Sequence, residues 1–435
     1  MSYSVRIAAF SLLLVLLTAL VIWRGAAARE VSVLTQSPTG EVVAVGTPIR
    51  IIFSQPVDQR SVEERFTLTP ETTGSFFWDG QSVTFQPDQP LRAGTSYRVS
   101  LQPGIADRAA RTTTQQPLGW TFRTRNPRLL LLRHTPDGTS ILLLSEADGS
   151  NPREILREPD GIVDMIAAPD GSQAILVVPR TAERMALLRV DLQDGRPRPL
   201  VDTPDLSAAA PAWSPNGNLI AFEQRPLSAG TMGDPAVWLA QPDGTSFGPV
   251  TEPGQIGTAP VWSPDSRRLA FHDAATGSVT VYNFTSTFQI FPDSRDIPVT
   301  WAADSSALLY VGDVAGRLRR ANLETGETTG LPDEAVAPVS AVAWSPDGAW
   351  LALVQGENPG AAGRLWLLRP DGSEQQQLSG PAAATDSGPV WSPDSRQLAF
   401  LRDDGSGTQA AWLLDLDTDV PRQVATDVAR VVWLP

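Results

Sequence analysis

The chain has 435 residues, 42% of them apolar, and a formal net charge of −14 from 48 acidic and 34 basic side chains. It contains no cysteine, and every basic side chain except the 2 histidines is an arginine. These facts exclude disulfides, thiolate metal sites and lysine-based covalent catalysis, and the acidic balance argues against a nucleic-acid partner, which needs a basic face.

The N-terminal segment is apolar enough to enter a membrane. Residues 7–23 carry no charge and lie between Arg6 and Arg24. As a helix they would span about 25 Å of a hydrocarbon core about 30 Å thick. Ala26 to Ala28 offer a small-residue cleavage site. We predict that residues 1–30 form one hydrophobic helix that anchors the protein in the cell membrane. A cleaved signal peptide is the alternative, and both place the remaining domains outside the cytoplasm.

Residues 31–125 show strand periodicity interrupted by turn residues. In the stretch 48–58, PIRIIFSQPVD, Ile49, Ile51 and Phe53 fall on one face of a strand, and the runs 82–87 and 95–101 alternate in the same way. Several such strands in a short block predict a small antiparallel sandwich.

The same runs resemble a bacterial Ig-like domain of exported proteins. The resemblance rests on PIRIIFSQPVD, on FTLTP at 66–70, on SVTFQPDQPLRAGTSYRVSL at 82–101 and on GWTFRT at 119–124. It implies a spacer or adhesive module and gives no catalytic residues to look for.

From residue 128 to residue 435 the sequence is periodic. The stretch PVWSPDSRRLAF at 260–271 returns at 389–400 with one position changed, and fainter copies lie between and before them. The repeats are anchored at positions 167, 213, 262, 301, 344, 391 and 433, which lie 39 to 49 residues apart. A period of this length with about four short strands in each unit is typical of propeller blades.

The ends of the periodic region predict how the ring closes. The first unit, 129–156, has no WSPD-type strand before it, whereas the last one, 428–435, has only that strand. We therefore expect Val431–Trp433 to pair with the first unit, around Leu129–Arg133. In strand 397–402, Leu398 and Phe400 face one side while Ala399 and Leu401 face the other, so this strand needs neighbours on both sides. The predicted fold is all-β: a seven-bladed β-propeller with C-terminal strand closure, preceded by the small Ig-like sandwich and the N-terminal helix. Six or eight blades remain alternatives, because the unit at 297–332 is weakly marked.

The WSPDG and WSPDS repeats resemble the TolB-like, WD-like propeller repeats of bacterial exported proteins. The resemblance covers the periodic region and is specific for the fold, and it carries little information on function.

Several motifs invite a chemical interpretation that their context does not favour. The recurrent tryptophans are expected to pack between blades. Gly244–Gly248 matches the G-x-S-x-G nucleophile pattern but lies in a turn between strands. His134 and His272 belong to different units and are expected at the surface or in turns, so a histidine zinc site is not predicted. Asp415, Asp417 and Asp419 lack a complete calcium loop. The arginine-rich run Arg317–Arg320 is interpreted as a solvated outer strand. No cofactor and no metal are predicted.

The connections between strands vary in length mainly on one predicted face of the ring. Turns between the first and second and between the third and fourth strands of a blade are short, whereas the other connections are long and irregular. Variable loops on one face are where repeat proteins carry recognition. We expect a partner to bind there; the predicted contact residues are Arg225, Met232, Asp234, Glu357, Asn358, Asp386, Asp403 and Asp404.

The sequence therefore predicts an extracytoplasmic, membrane-tethered binding or scaffold protein without enzymatic activity, which recognises a protein or an envelope polymer. One alternative is a glycan-active hydrolase or lyase with paired carboxylates in the channel. Another is a platform subunit of a membrane complex.

Overall fold

A computed structural model describes residues 31–40, 42–109, 111–228, 230–284, 287–294, 299–312, 316–331, 338–356, 363–378 and 384–435. The chain divides into two compact units, Met1–Thr124 and Arg125–Pro435, and is built almost entirely of strands. Within these described ranges, no helix is long and apolar enough to cross a membrane. The predicted helix at 7–23 lies outside them.

The first unit is a sandwich of two four-stranded sheets, with strand orders β1-β3-β6-β5 and β2-β8-β7-β4. Its elements are β1 (Val33–Ser37), β2 (Val42–Val43), β3 (Ile49–Phe53), α1 (Gln59–Glu63), β4 (Phe66–Thr69), β5 (Gly74–Asp79), β6 (Ser82–Pro87), β7 (Ser96–Leu101) and β8 (Leu118–Thr124). As the alternation predicts, Ile49, Ile51 and Phe53 are buried in the core between the sheets, where they meet Val99 and Phe122.

The described part of the second unit contains seven sheets, which we call blades 1 to 7 and whose strands we letter a to d from the centre outward. Blade 1 holds β9 (Arg128–His134), β10 (Ser140–Glu146) and β11 (Arg153–Glu158); blade 2 holds β12 (Asp164–Ala167), β13 (Gln173–Pro179), β14 (Met185–Asp191) and β15 (Pro197–Val201); blade 3 holds β16 (Leu206–Trp213), β17 (Ile220–Ser228), β18 (Thr231–Met232), β19 (Ala236–Ala240) and β20 (Ser246–Pro249). Blade 4 holds β21 (Gly257–Trp262), β22 (Arg268–Asp273), β23 (Ser278–Asn283) and β24 (Thr287–Phe291); blade 5 holds β25 (Thr300–Trp301), β26 (Ala307–Gly312), β27 (Arg317–Asn322) and β28 (Thr328–Gly330). Blade 6 holds β29 (Val339–Trp344), β30 (Leu351–Gln355), β31 (Arg364–Leu368) and β32 (Gln375–Gln377); blade 7 holds β33 (Thr385–Trp391), β34 (Gln397–Asp403), β35 (Gln409–Asp415) and β36 (Val420–Ala425); β37 (Val428–Leu434) follows.

The last strand belongs to the first blade, and this pairing closes the ring. β37 is antiparallel to β9, with Val431 opposite Leu131 and Trp433 opposite Leu129, so that blade 1 has the strand order β11-β10-β9-β37. The closing pairing expected from the sequence is present.

Strand b of each blade is covered on both faces by the neighbouring blades. In β34, Leu398 and Phe400 pack with blade 6, whereas Ala399 and Leu401 pack in the cluster that contains Leu129 of blade 1. All four side chains are buried. Burying one such apolar side chain contributes about 1.5–3 kcal/mol, which is why the blades need one another.

The tryptophans at the end of strand a join successive blades. The indole N–H of Trp262 donates to the carbonyl of Ala212, that of Trp301 to Val261, and that of Trp433 to Val390, at 3.0–3.2 Å. In each case the acceptor is the residue just before the equivalent tryptophan position of the preceding blade. The prediction that these tryptophans pack between blades is confirmed.

Candidate functional site

The innermost strands enclose a cavity of about 590 Å³ at the centre of the ring. Strands a of blades 1, 2, 3, 4 and 7 line it, mostly with alanine, proline and valine side chains. A cavity of this volume lies within the range of ligand-binding pockets in proteins, which is about 300–1,000 Å³.

Irregular backbone shapes the wall of this central cavity. The register of β16 against β17 jumps from Ala209 to Ala212, which leaves Ala210 and Pro211 without a partner on strand b. Blades 4 and 7 have the same break, at Ala259 and Gly388, each followed by a proline. Ala210 and Ala259 have φ of 45° and 48°, in the left-handed region. Such a backbone costs an alanine about 1–2 kcal/mol, and strain of this kind concentrates at functional sites.

One of these strained residues is supported by the neighbouring blade. The backbone N–H of Ala259 donates to the Glu223 carboxylate on strand b of blade 3, at 2.8 Å. Arg225 lies 3.8 Å from the same carboxylate. The bulge in blade 4 is thus fixed by blade 3, so the cavity wall has a defined shape.

The cavity wall carries one ion pair. Arg430 on β37 approaches Asp164 at the start of β12, with 2.6 Å between Nε and Oδ1, and thereby joins blades 1 and 2. Burial raises the pKa of the Asp164 carboxyl, because its loss of hydration outweighs the attraction of Arg430 and the hydrogen bond from the Met165 N–H. The side chain of Asp164 is 27% exposed and that of Arg430 is 48% exposed. The pair therefore contributes little to stability and is open to a ligand.

The position of this pair connects the cavity with the variable loops. In an antiparallel blade, strand a begins on the face where strand b ends. Asp164 is the first residue of its strand a, and Arg430 is the third residue of the closing strand. The ion pair therefore lies toward the face that carries the long connections between strands b and c.

The predicted contact residues occupy different environments. Arg225, Met232 and Asp234 share one extension of blade 3, where β17 and β18 form a hairpin with Met232 opposite Leu227, and Met232 and Asp234 are exposed. Asp403 and Asp404 cap their own turn in blade 7, because they accept from the N–H groups of Gly405 and Ser406. Glu357 and Asn358 lie outside the described residues.

The prediction for Asp386 is wrong. Its side chain is fully buried and receives two hydrogen bonds from Arg402, whose Nε lies 2.6 Å from Oδ1 and whose Nη2 lies 3.1 Å from Oδ2. The N–H of Leu365 in blade 6 donates to the same carboxylate, at 3.2 Å. Asp386 therefore holds blades 6 and 7 together beneath the loops and does not face a partner.

The aspartates of the stretch 415–419 and the G-x-S-x-G motif lie in structural surroundings and do not form a metal site or a nucleophile elbow. Asp415 accepts from Gln397, Asp417 pairs with Arg396, and Asp419 accepts from Gln376. Among the described residues, no group of three potential metal ligands lies together. The G-x-S-x-G stretch runs from the turn after β19 into β20, without the helix that a nucleophile elbow requires.

The two histidines lie in blades 1 and 4. His134 is exposed at the end of β9, with Nδ1 2.8 Å from Ser140 Oγ. His272 in β22 is only 7% exposed, which corrects the expectation of a surface position. It follows the strand-b core residue Phe271, and the equivalent residue in strand b of blade 7, Leu401, is also buried.

The paired carboxylates of the glycan-active alternative are not found in this cavity. Asp164 is the one carboxylate among the described residues that line it. Both glycosidase mechanisms need two carboxyl groups across the scissile bond, separated by about 5–10 Å.

The sequence profile of a bacterial Ig-like domain matches residues 27–124, which confirms that resemblance. L,D-transpeptidase 2 of Mycobacterium tuberculosis is 30% identical over 92 residues, which are 18% of this chain and 22% of that protein, so the match spans about a fifth of the relative. TolB of Acinetobacter baumannii is similar in structure, with 13% identity, a TM-score of 0.48, and coverage of 93% of this chain and 99% of that chain. A puromycin-hydrolyzing peptidase of M. tuberculosis has 14% identity and a TM-score of 0.53 over 70% of this chain and 54% of its own.

These comparisons correct the expectation of a protein without enzymatic activity. Peptidases are built on the same fold: the puromycin-hydrolyzing peptidase and prolyl endopeptidases are among the similar structures. At 14% and 12% identity the likeness concerns the fold alone, and this chain spans about half the length of those proteins.

Proposed function

We propose that this chain is an extracytoplasmic binding and scaffold protein, tethered to the membrane by its N-terminal apolar segment, which recognises a protein or envelope polymer through the central cavity and the variable loops around it. The Ig-like match at residues 27–124 supports an extracytoplasmic location, because the resemblance is to a spacer domain of exported bacterial proteins.

One observation carries the proposal: an apolar cavity of about 590 Å³ whose described lining residues include one partly exposed ion pair. Apolar walls with few polar groups are typical of binding sites, in which the polar groups orient the ligand. Arg430 offers donors to a carboxylate or carbonyl of the ligand, and Asp164 offers an acceptor. The exposed hairpin of blade 3 would contact the part of the partner that remains outside.

The proposal is tested by cross-linking in the cells that produce the protein. A photoreactive phenylalanine analogue replaces Ala429, which lines the cavity, or Val420, which is 65% exposed on the outermost strand of blade 7. We expect an adduct from position 429 that position 420 does not give and that the Arg430→Gln substitution weakens. Equal adducts from both positions, or none from position 429, would refute the proposal.

The nature of the adduct separates a protein from a polymer. A discrete mass that trypsin digests indicates a protein partner, whereas a ladder that trypsin leaves intact indicates an envelope polymer. Because peptidases are among the similar structures, we would also incubate a captured peptide with the full-length protein. Cleavage of that peptide would reveal catalysis.

A further inference from the structure

Blades 4 and 7 share a near-identical stretch at 260–271 and 389–400 but differ in the turn that faces it. Both carry the stretch PVWSPDSR, which ends in Arg267 in blade 4 and in Arg396 in blade 7. The turn between strands c and d reads Asn-Phe-Thr at 283–285 and Asp-Leu-Asp at 415–417. The register is the same, since residue 268 pairs with residue 283 and residue 397 pairs with residue 415. The two blades can therefore be compared position by position as far as residues 283 and 415.

In blade 7 the acidic turn satisfies the polar side chains opposite. Arg396 Nη1 donates to Asp417 Oδ2 at 3.0 Å, and Gln397 Nε2 donates to Asp415 Oδ2 at 3.1 Å. The guanidinium of this repeat thus has a carboxylate partner within the same blade.

In blade 4 the neutral Asn283 replaces Asp415, Arg267 remains, and Arg268 replaces Gln397. Arg267 is exposed, and no carboxylate of the described residues forms a salt bridge with it. Arg268 donates from Nη1 to the carbonyl of Ser305 in blade 5, at 2.8 Å. The turn sequence of blade 4, residues 283–287, contains no acidic residue, so it offers these arginines no counter-charge.

An aromatic surface lies beside these arginines. Phe284 is 41% exposed and stacks on Trp262, with 5.5 Å between ring centroids and 5° between the planes. Tyr282 meets the edge of Phe284 at 5.2 Å. Phe284, Arg267, Arg268 and Leu219 line a groove of about 450 Å³, which we call the blade 4 groove. Its aromatic wall is held in place by the stacking.

We propose that the blade 4 groove binds a protein segment in which an acidic side chain lies next to an apolar one. The guanidinium of Arg267 would donate hydrogen bonds to the carboxylate of the segment, as Arg396 donates to Asp417. Phe284 would pack against the apolar neighbour. Two arginines in a chain of net charge −14 do not form the broad basic face that a nucleic acid or an anionic membrane needs. The groove lies on the short-turn face and shares no lining residue with the central cavity.

The test selects short random peptides on the full-length protein. Peptides that also bind the Asn283→Asp variant are discarded, because Asn283 lines the groove and an aspartate there supplies the arginines with a counter-charge of their own. We expect the remaining peptides to share an acidic residue beside an apolar one. They should bind the Arg267→Gln variant at least about tenfold more weakly than wild type, because the variant lacks the charged hydrogen-bond donor.

Matched controls decide among the alternatives. Arg396→Gln, at the equivalent position of blade 7, should leave peptide binding unchanged, and Phe284→Ser should weaken it. Peptides that bind wild type and the Arg267→Gln variant equally would overturn the proposal. So would displacement by inorganic phosphate as effective as by the acidic peptide, or dimerisation of the protein that depends on Arg267, because these would assign the groove to phosphoryl groups or to a second copy.

Discussion

Arg402 and Asp386 form an ion pair that is closed off from solvent inside blade 7. Their side chains are 3% and 0% exposed, and the guanidinium also lies over the rings of Phe400 and Trp412, about 5 Å from each centroid. Two hydrogen bonds between the partners and a third from Leu365 satisfy the carboxylate. The pair is therefore tolerated in the core because each charge has its partner.

Removal of one member should destabilise the propeller strongly. Asp386→Ala leaves Arg402 buried without its carboxylate counter-charge, which costs about 3–5 kcal/mol of unfolding free energy. The double variant Asp386→Leu/Arg402→Met, with an apolar pair in the same space, should recover most of that loss. Urea unfolding of the full-length variants measures both. A double variant as unstable as the single one would contradict this interpretation.

The closing tryptophan should contribute through its indole N–H as well as its volume. Trp433→Phe removes the hydrogen bond to the Val390 carbonyl across the junction of blades 7 and 1. We expect the free energy of unfolding to fall by about 1–2 kcal/mol. Trp344→Phe is the control, because Trp344 donates to Gly348 within its own turn. The midpoint of thermal unfolding should fall more for Trp433→Phe, and an equal fall would show that junction and turn bonds are equivalent.

Ser395 should tolerate glycine better than alanine. Its backbone has φ of 61°, and its Oγ accepts from the N–H of Asp347 in blade 6, at 2.9 Å. Ser395→Ala loses this hydrogen bond and keeps the left-handed backbone, which should lower the free energy of unfolding by about 1–2 kcal/mol. Ser395→Gly loses the same bond but relieves backbone strain worth about 1 kcal/mol. Chemical denaturation that ranks glycine below alanine would count against this account.

Asp164 should make stability depend on pH. Its folded pKa is raised, so the stability that it contributes is present below its unfolded pKa and is lost as the pH rises through its folded pKa. The Asp164→Asn variant lacks this titration. From pH 3 upward, we therefore expect its unfolding free energy to rise relative to that of wild type, most steeply just above the ordinary range of aspartate, near pH 4. Parallel pH profiles of the two proteins would show that the carboxyl is not perturbed.

The repeated pattern predicted the blades, the two-sided burial of strand b and the closing pairing, because each depends on local periodicity. It did not predict the environment of Asp386, although the equivalent positions Ala208, Gly257 and Val428 are small or apolar and a comparison of repeats would have marked it as a core position. The central cavity could not be predicted in the same way. Asp164 and Arg430 meet only once the ring is closed, and no local pattern relates them.

The closing strand also determines when the propeller can finish folding. Arg133 of β9 and Asp427, just before β37, are 294 residues apart in sequence and 3.4 Å apart in the fold. Hairpins within a blade need only neighbouring chain, whereas this junction forms only after residues 427–434 have been synthesised, and contacts between such distant segments form slowly. Until then β9 has an unpaired edge open to other chains, so an export pathway that delivers the polypeptide unfolded would need to shield it against aggregation.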